Sequence, residues 1–207
     1  MSSGTVLAFA GIALVTAFAG SLAALWGGDP AACTTELDQD AITQDDANAL
    51  YDCIEGDLLA GYAEAADVPG VAGFREWPLV STAPLVSATH GRMFVNHFVN
   101  PPGAELYTRW EEMDGARFPV GSIFVKESFR ILKGEVKRGT LFLMEKVAED
   151  AAPDGWVYTR VFPNGKYERT NGPKSGRMAF CHDCHAATLE LQDAAFFPPE
   201  AYRTTGN

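Results

Sequence analysis

Cys181, Cys184 and His185 stand near the C-terminus in the stretch "FCHDCHAATLELQDAAFF" and spell C-x-x-C-H. Two thiols separated by two residues are correctly spaced to add across the two vinyl groups of a porphyrin. The histidine that follows at once then presents an imidazole to the iron. The chemistry this predicts is covalent haem c attachment, with thioethers at Cys181 and Cys184 and His185 as the metal ligand. Two other uses of C-x-x-C fit less well. A structural zinc site calls for a second pair of ligands, and only His90 and His97 remain, with no cysteine beside them. A thioredoxin-like dithiol belongs after a strand in a βαβ unit, not in the last tenth of a chain.

The motif's place narrows the class. Small all-helical cytochromes c carry it near the N-terminus and supply a methionine afterwards; here no methionine follows Met178. A sixth iron ligand from the protein would have to come from upstream, where His90, His97, Met93, Met113 and Met144 are the candidates. The expectation is instead an open, five-coordinate iron. Phe180, Phe196 and Phe197 are expected to wall the cofactor. The preceding chain must build the rest of the pocket.

That preceding chain is strand-rich, which excludes the four-helix cytochromes c′. Residues 85–100, "LVSATHGRMFVNHFVN", read as one strand of β-branched and aromatic residues. "PPGAELYTRWEE" opens on prolines and reads as a short helix. "GSIFVKESFRIL", "GTLFLMEKVA" and "GWVYTRVF" are three further strands separated by glycine-containing turns. In the first of these, alternation puts Ile123, Val125, Glu127 and Phe129 on one face, and Phe124, Lys126 and Ser128 on the other. Upstream, Thr43 followed by Asp46 marks a helix start, and Leu50, Ile54 and Leu58 recur at helical spacing. A helix is therefore expected over about 44–65. The fold class is α+β, a mainly antiparallel sheet with flanking helices and an N-terminal apolar helix.

Residues 6–26 carry no charge, and as a helix at about 1.5 Å per residue would reach roughly 30 Å, enough to cross a bilayer. This segment (1–28) is either a cleaved signal peptide, with Ala17-Phe18-Ala19 as its site, or an uncleaved anchor. The anchor is favoured because the apolar run continues past that site. In both readings the body is exported, on the periplasmic side of a bacterial inner membrane or free in the periplasm. The remaining cysteines, Cys33 and Cys53, agree with export. Paired, they would close a loop of about 20 residues within an acidic helical segment (29–70), a stabilisation on the order of 3 kcal/mol. The alternative is two unpaired buried thiols. A net charge of −11 excludes a nucleic-acid binder, which needs basic patches.

Several blocks together resemble the cytochrome P460 family, which includes the β-sheet type of cytochrome c′. "FREWPLV" is similar to the family's opening aromatic-Arg-x-Trp stretch. "VNHFVNPPGAELYTRW" is similar to its strand followed by a Tyr/Trp-bearing helix, and "FPVGSIFVKES" to its Val-Lys-Glu strand. "DGWVYTRVFPNGK" resembles its Gly-x-Trp strand, and "FCHDCHAATLELQDAAFF" its haem segment. The resemblance spans residues 74–202 and assigns 71–207 to a haem c domain, often dimeric. It also implies a role for Lys126, because in P460 enzymes the lysine of this strand is covalently linked to the porphyrin, and that haem oxidises hydroxylamine. From the residues alone, Lys126 is an interior-strand lysine that burial would deprotonate into a nucleophile. The alternative is a lysine that reaches solvent or pairs with a propionate. Arg92 is the candidate cation for a haem propionate.

The resulting expectation is an exported mono-haem c protein that binds and oxidises hydroxylamine or nitric oxide, with another cytochrome as electron partner. The alternative is a non-enzymatic haem c protein that relays electrons to or from a membrane respiratory chain, or binds a small gas such as NO or CO.

Overall fold

The computed structural model describes residue 1 and residues 33–149, 154–172 and 174–204. The apolar run 6–26 lies outside them. Among the described residues no helix is long and apolar enough to cross a membrane.

The protein is α+β. Seven antiparallel strands form one sheet among the described residues: β1 (Leu85–Ser87), β2 (Met93–Val99), β3 (Ile123–Leu132), β4 (Glu135–Arg138), β5 (Leu141–Lys146), β6 (Trp156–Val161) and β7 (Tyr167–Arg169). The order is β1-β2-β3-β5-β6-β7. The long β3 serves two partners on one edge, β5 along residues 123–126 and β4 along residues 129–132. Gly139 makes the passage from β4 to β5 possible. Its N–H donates to the Ser128 carbonyl at 2.8 Å, and a Cβ there would lie 2.6 Å from that same oxygen. The β3–β4 hairpin turns through Lys133 and Gly134, both with positive φ (54° and 81°), as a tight two-residue turn requires.

The single strand expected over 85–100 is in fact two. Gly91 and Arg92 take φ values of 71° and 54°, so the chain reverses between β1 and β2. A one-piece strand would have needed extended backbone at both positions.

Each face of the sheet has its own core. On one side lies α1 (Gln44–Tyr62), followed by a 3₁₀ turn at Ala63–Ala65. Thr43 caps α1 in a reciprocal box with Asp46, Asp46 N–H to Thr43 Oγ1 at 3.2 Å and Thr43 N–H to Asp46 Oδ2 at 3.0 Å. Ile54, Leu58 and Tyr62 share one apolar cluster with Phe94, Phe98, Val125, Phe129, Leu141 and Leu143. The acidic helical segment thus packs into the same core as the sheet, within one unit spanning Ala32–Asn207. A disulfide joins Cys33 to Cys53, and the Cys33 carbonyl accepts from Val136 N–H at 2.8 Å, so β4 is covered on its outer edge.

The other face packs on α2 (Pro101–Tyr107) and the C-terminal segment, which contains α3 (Ala179–His185) and α4 (Leu189–Gln192). Tyr107, Phe118, Phe124, Trp156 and Met178 form its core. Asn100 fixes α2 to the sheet: its Oδ1 accepts from Gly103 N–H and Ile123 N–H, and its Nδ2 donates to Gly121.

Candidate functional site

Strand register builds the floor of the site. His97, Lys126, Phe142, Arg160 and Glu168 are direct cross-strand partners in succession over β2, β3, β5, β6 and β7, so one row of side chains crosses the sheet. The next row on the same face is Val99, Phe124, Met144 and Tyr158. Above these rows opens a cavity of about 500 Å³, within the range typical of cofactor sites. Cys181, Cys184, His185 and Lys126 all line it, as do Phe180, Phe196 and Phe197.

Cys181 and Cys184 lie one turn apart on α3 as free thiols. Burial pushes the Cys181 thiol up to about 11, so it is protonated at neutral pH. His185, one residue on, is buried at 6% exposure. Its Nδ1 lies 2.6 Å from the Ala194 carbonyl. A carbonyl can only accept, so Nδ1 carries the proton and Nε2 keeps its lone pair. Burial also holds the imidazole's pKa down to about 4, leaving it neutral. Tyr158 and Phe196 flank the ring at 5.0 and 5.1 Å between centroids.

The carbonyl that orients His185 is itself held by residues the motif does not announce. Asp193 and Ala194 both take left-handed backbone, φ 48° and 65°, which non-glycine residues adopt only when their surroundings insist. The Asp193 carboxylate, fully buried, accepts from Lys146 Nζ at 2.7 Å and Phe118 N–H at 2.9 Å. Sequence reasoning missed this pair because its members stand 47 residues apart and no local pattern links them.

Lys126 makes no hydrogen bond or ion pair among the described residues, and its exposed part borders the cavity. Burial lowers its pKa to about 8, with Cys184 pulling in the opposite sense. Beside it, His97 is 5% exposed and its Nδ1 has no partner. Burial, then the neighbouring Lys126 and His90, holds its pKa well below the usual imidazole value.

Other sequence candidates fall elsewhere. Arg92 does not line the cavity; its guanidinium is exposed and binds Asp40 at 2.9 Å. The left-handed turn that divides β1 from β2 carries its side chain outward. The guanidinium that does line the cavity is Arg160, whose Nε donates to Glu168 at 2.7 Å. Arg177 and Lys174 also approach Glu168, at 3.6 and 4.0 Å, so three cations surround one carboxylate. Glu127 and Glu145 lie on the α1 side of the sheet. Among the described residues no carboxylate lines the cavity. Met93 and Met144 line it, whereas Met113 does not reach it. Among the described residues no group of three or more His, Cys, Asp or Glu is arranged to hold a metal, so the zinc reading gains no site.

The family model for cytochrome P460 matches residues 71–197, which runs from just before the aromatic-Arg-x-Trp stretch to the end of the cavity wall. The chain belongs to the cytochrome P460 family. Its cofactor is a covalently attached haem c, and it is a c-type haem cytochrome. No curated protein matches the chain. The cavity fits that cofactor on three counts: two unpaired thiols one helical turn apart at its wall, a neutral imidazole with Nε2 free, and an aromatic lining. What haem c supplies when bound is a redox-active iron with a coordination position for a small molecule.

Proposed function

We propose that this cytochrome P460-family protein holds one haem through Cys181 and Cys184, with His185 as proximal ligand, and that the iron binds hydroxylamine or nitric oxide and oxidises it. The single observation that carries the reading is Lys126, an enclosed amine without a partner among the described residues, at the floor of the cavity that holds the C-x-x-C-H residues. It occupies the Val-Lys-Glu strand that in P460 enzymes bonds to the porphyrin. For an open coordination position, two of the upstream candidates are out of reach, since Met113 does not line the cavity and His97 is embedded in the sheet floor, while His90, Met93 and Met144 do line it. Arg160, in place of Arg92, serves as the cation for a propionate.

Electrons leave to an acceptor such as another cytochrome. The Cys33–Cys53 disulfide supports residence in an oxidising compartment, which agrees with the family's typically periplasmic location. Whether residues 6–26 anchor the protein or are cleaved belongs to the same proposal.

A second reading has its own support. The cavity lacks a lining carboxylate among the described residues, as suits a protein that binds a gas or relays electrons without proton chemistry. Mass spectrometry of the digested, haem-loaded protein separates the two. The oxidising reading expects the 181–185 peptide and the Lys126 peptide to travel as one haem-bearing species. Haem on 181–185 alone, with Lys126 free, leaves the non-enzymatic reading. Haem on neither overturns both.

A further inference from the structure

Among the described residues no carboxylate lines the cavity, and the nitrogen-bearing titratable side chains that line it outside the C-x-x-C-H motif are His90, His97, Lys126 and Arg160, the last held by Glu168. They are not equivalent. His97 and Lys126 are neighbours in one cross-strand row and belong to the floor. His90 comes from the turn between β1 and β2 and packs its ring edge-on against Phe142, 4.6 Å between centroids. Two hydroxyls flank its Nδ1, Ser87 Oγ at 2.8 Å and Thr89 Oγ1 at 3.3 Å. Nε2 makes no hydrogen bond among the described residues, and it is not sealed in by protein.

The turn that carries His90 is held on both sides. Arg92 N–H and His90 N–H both donate to the Ser87 carbonyl, at 3.1 and 3.3 Å. From outside, Asp40 binds the Arg92 guanidinium, and Gln39 Nε2 donates to the Arg92 carbonyl at 2.8 Å. Arg92 thus belongs to the clamp on this turn, not to the cavity.

The two imidazoles reach the cavity from different elements, His90 from the β1–β2 turn and His185 from α3. His185 packs on Tyr158, in the row of Val99, Phe124 and Met144, whereas His90 packs on Phe142, in the row of His97 and Lys126. Those rows are two residues apart along β5, about 7 Å at the rise of an antiparallel strand. The two imidazoles therefore stand over different rows of the cavity floor.

We propose that His90 stands over the ligand-binding side of the haem and donates an Nε2–H hydrogen bond to the small molecule held on the iron, favouring ligands that can accept one. The proposal rests on the open-site reading above. Ser87 Oγ, 2.8 Å from Nδ1, can donate to it, and in that tautomer the neutral imidazole carries its proton on Nε2. Burial, with Lys126 and His185 nearby, keeps the ring neutral, its pKa lowered to about 2.

The test uses haem-loaded protein and two probes, carbon monoxide on the ferrous iron and cyanide on the ferric iron. In His90→Phe the C–O stretch should move to higher wavenumber, and the cyanide dissociation constant should rise about tenfold, the loss of one hydrogen bond. His90→Gln, which retains an N–H donor, should keep most of the affinity. Equal haem content in all three proteins excludes misfolding as the cause. An unchanged stretch and unchanged cyanide affinity in His90→Phe overturn the proposal while leaving the open site intact. A wild-type spectrum that is six-coordinate and unresponsive to both probes overturns the open-site reading and the proposal with it. If such a spectrum became five-coordinate in His90→Phe, His90 would be an iron ligand.

Discussion

Lys126 and Glu127 are consecutive residues of β3, each an enclosed charge, and they meet opposite fates on the two faces of the sheet. Glu127 is 1% exposed and partnered, although burial still lifts its pKa above the usual carboxylate value. It accepts from Arg75 Nη2 and from the Tyr51 hydroxyl, each at 2.5 Å, and Arg75 also binds Glu55 at 2.8 Å. Lys126 has no such partner among the described residues; it borders a cavity and surrenders its charge more easily instead. Burying a charge is costly on either face. On the α1 face the cost is offset in part by partners brought from α1 and the loop at Phe74–Glu76. On the cavity face it is left standing, and an unanswered polar group beside a cavity of cofactor size is the mark of a site.

The largest way to break this contrast is to remove a partner. Arg75→Ala should destabilise the protein by about 3–5 kcal/mol, because the Glu127 carboxylate stays buried without its cation. A urea midpoint measured on wild type and variant reads this directly. The double variant Arg75→Met with Glu127→Leu should recover most of the loss, since an apolar pair needs no partner. If Arg75→Ala cost less than about 1 kcal/mol, the sealed face would not depend on the pair as argued.

Lys126→Met is the matching change on the open face and should do far less. The substitution removes an amine with no partner and keeps the chain's bulk, so stability should change by no more than about 1 kcal/mol, in either direction. The same urea assay checks this, and haem content should remain one per chain. A loss comparable to that of Arg75→Ala would show Lys126 to be a structural residue.

Legibility in the sequence differed between the two faces for the same reason. Alternation along "IFVKESF" assigned Lys126 and Glu127 to opposite faces, and the register bears that division out. The Thr43–Asp46 box was legible because capping is local chemistry within four residues. The β4 strand was not read, although Lys133-Gly134 is a hairpin signal, because only four residues follow before the chain turns again at Gly139. The C-x-x-C-H spacing and its helix were local too. What lay beyond reading was everything assembled across distance: the Lys146–Asp193 pair behind His185, Arg75 behind Glu127, and Arg160 in the place assigned to Arg92. An arginine's destination depends on the turn before it, and the left-handed pair Gly91-Arg92 sent that side chain to Asp40.

The smallest effect tests whether the helix covering the sealed face can loosen without disturbing the cavity. Asp46 accepts from the Thr43 hydroxyl and backbone N–H, and these bonds lower its pKa below the usual 3.8. A depressed carboxyl contributes stability that is fully present above its unfolded pKa and is lost as pH falls through the lower folded value. The box should therefore open only below about pH 3.8. Because both partners are in water, the change should stay local to the first turn of α1. Hydrogen exchange provides the measurement: the amides of Asp46 and Ala47 should lose protection as the pH drops through that range, while those of β2 and β3 beneath the cavity keep theirs. Asp46→Asn should show the weakened first turn already at neutral pH. If the cavity amides lost protection together with those of α1, the two faces would be one cooperative unit, and the independence drawn from Lys126 and Glu127 would fail.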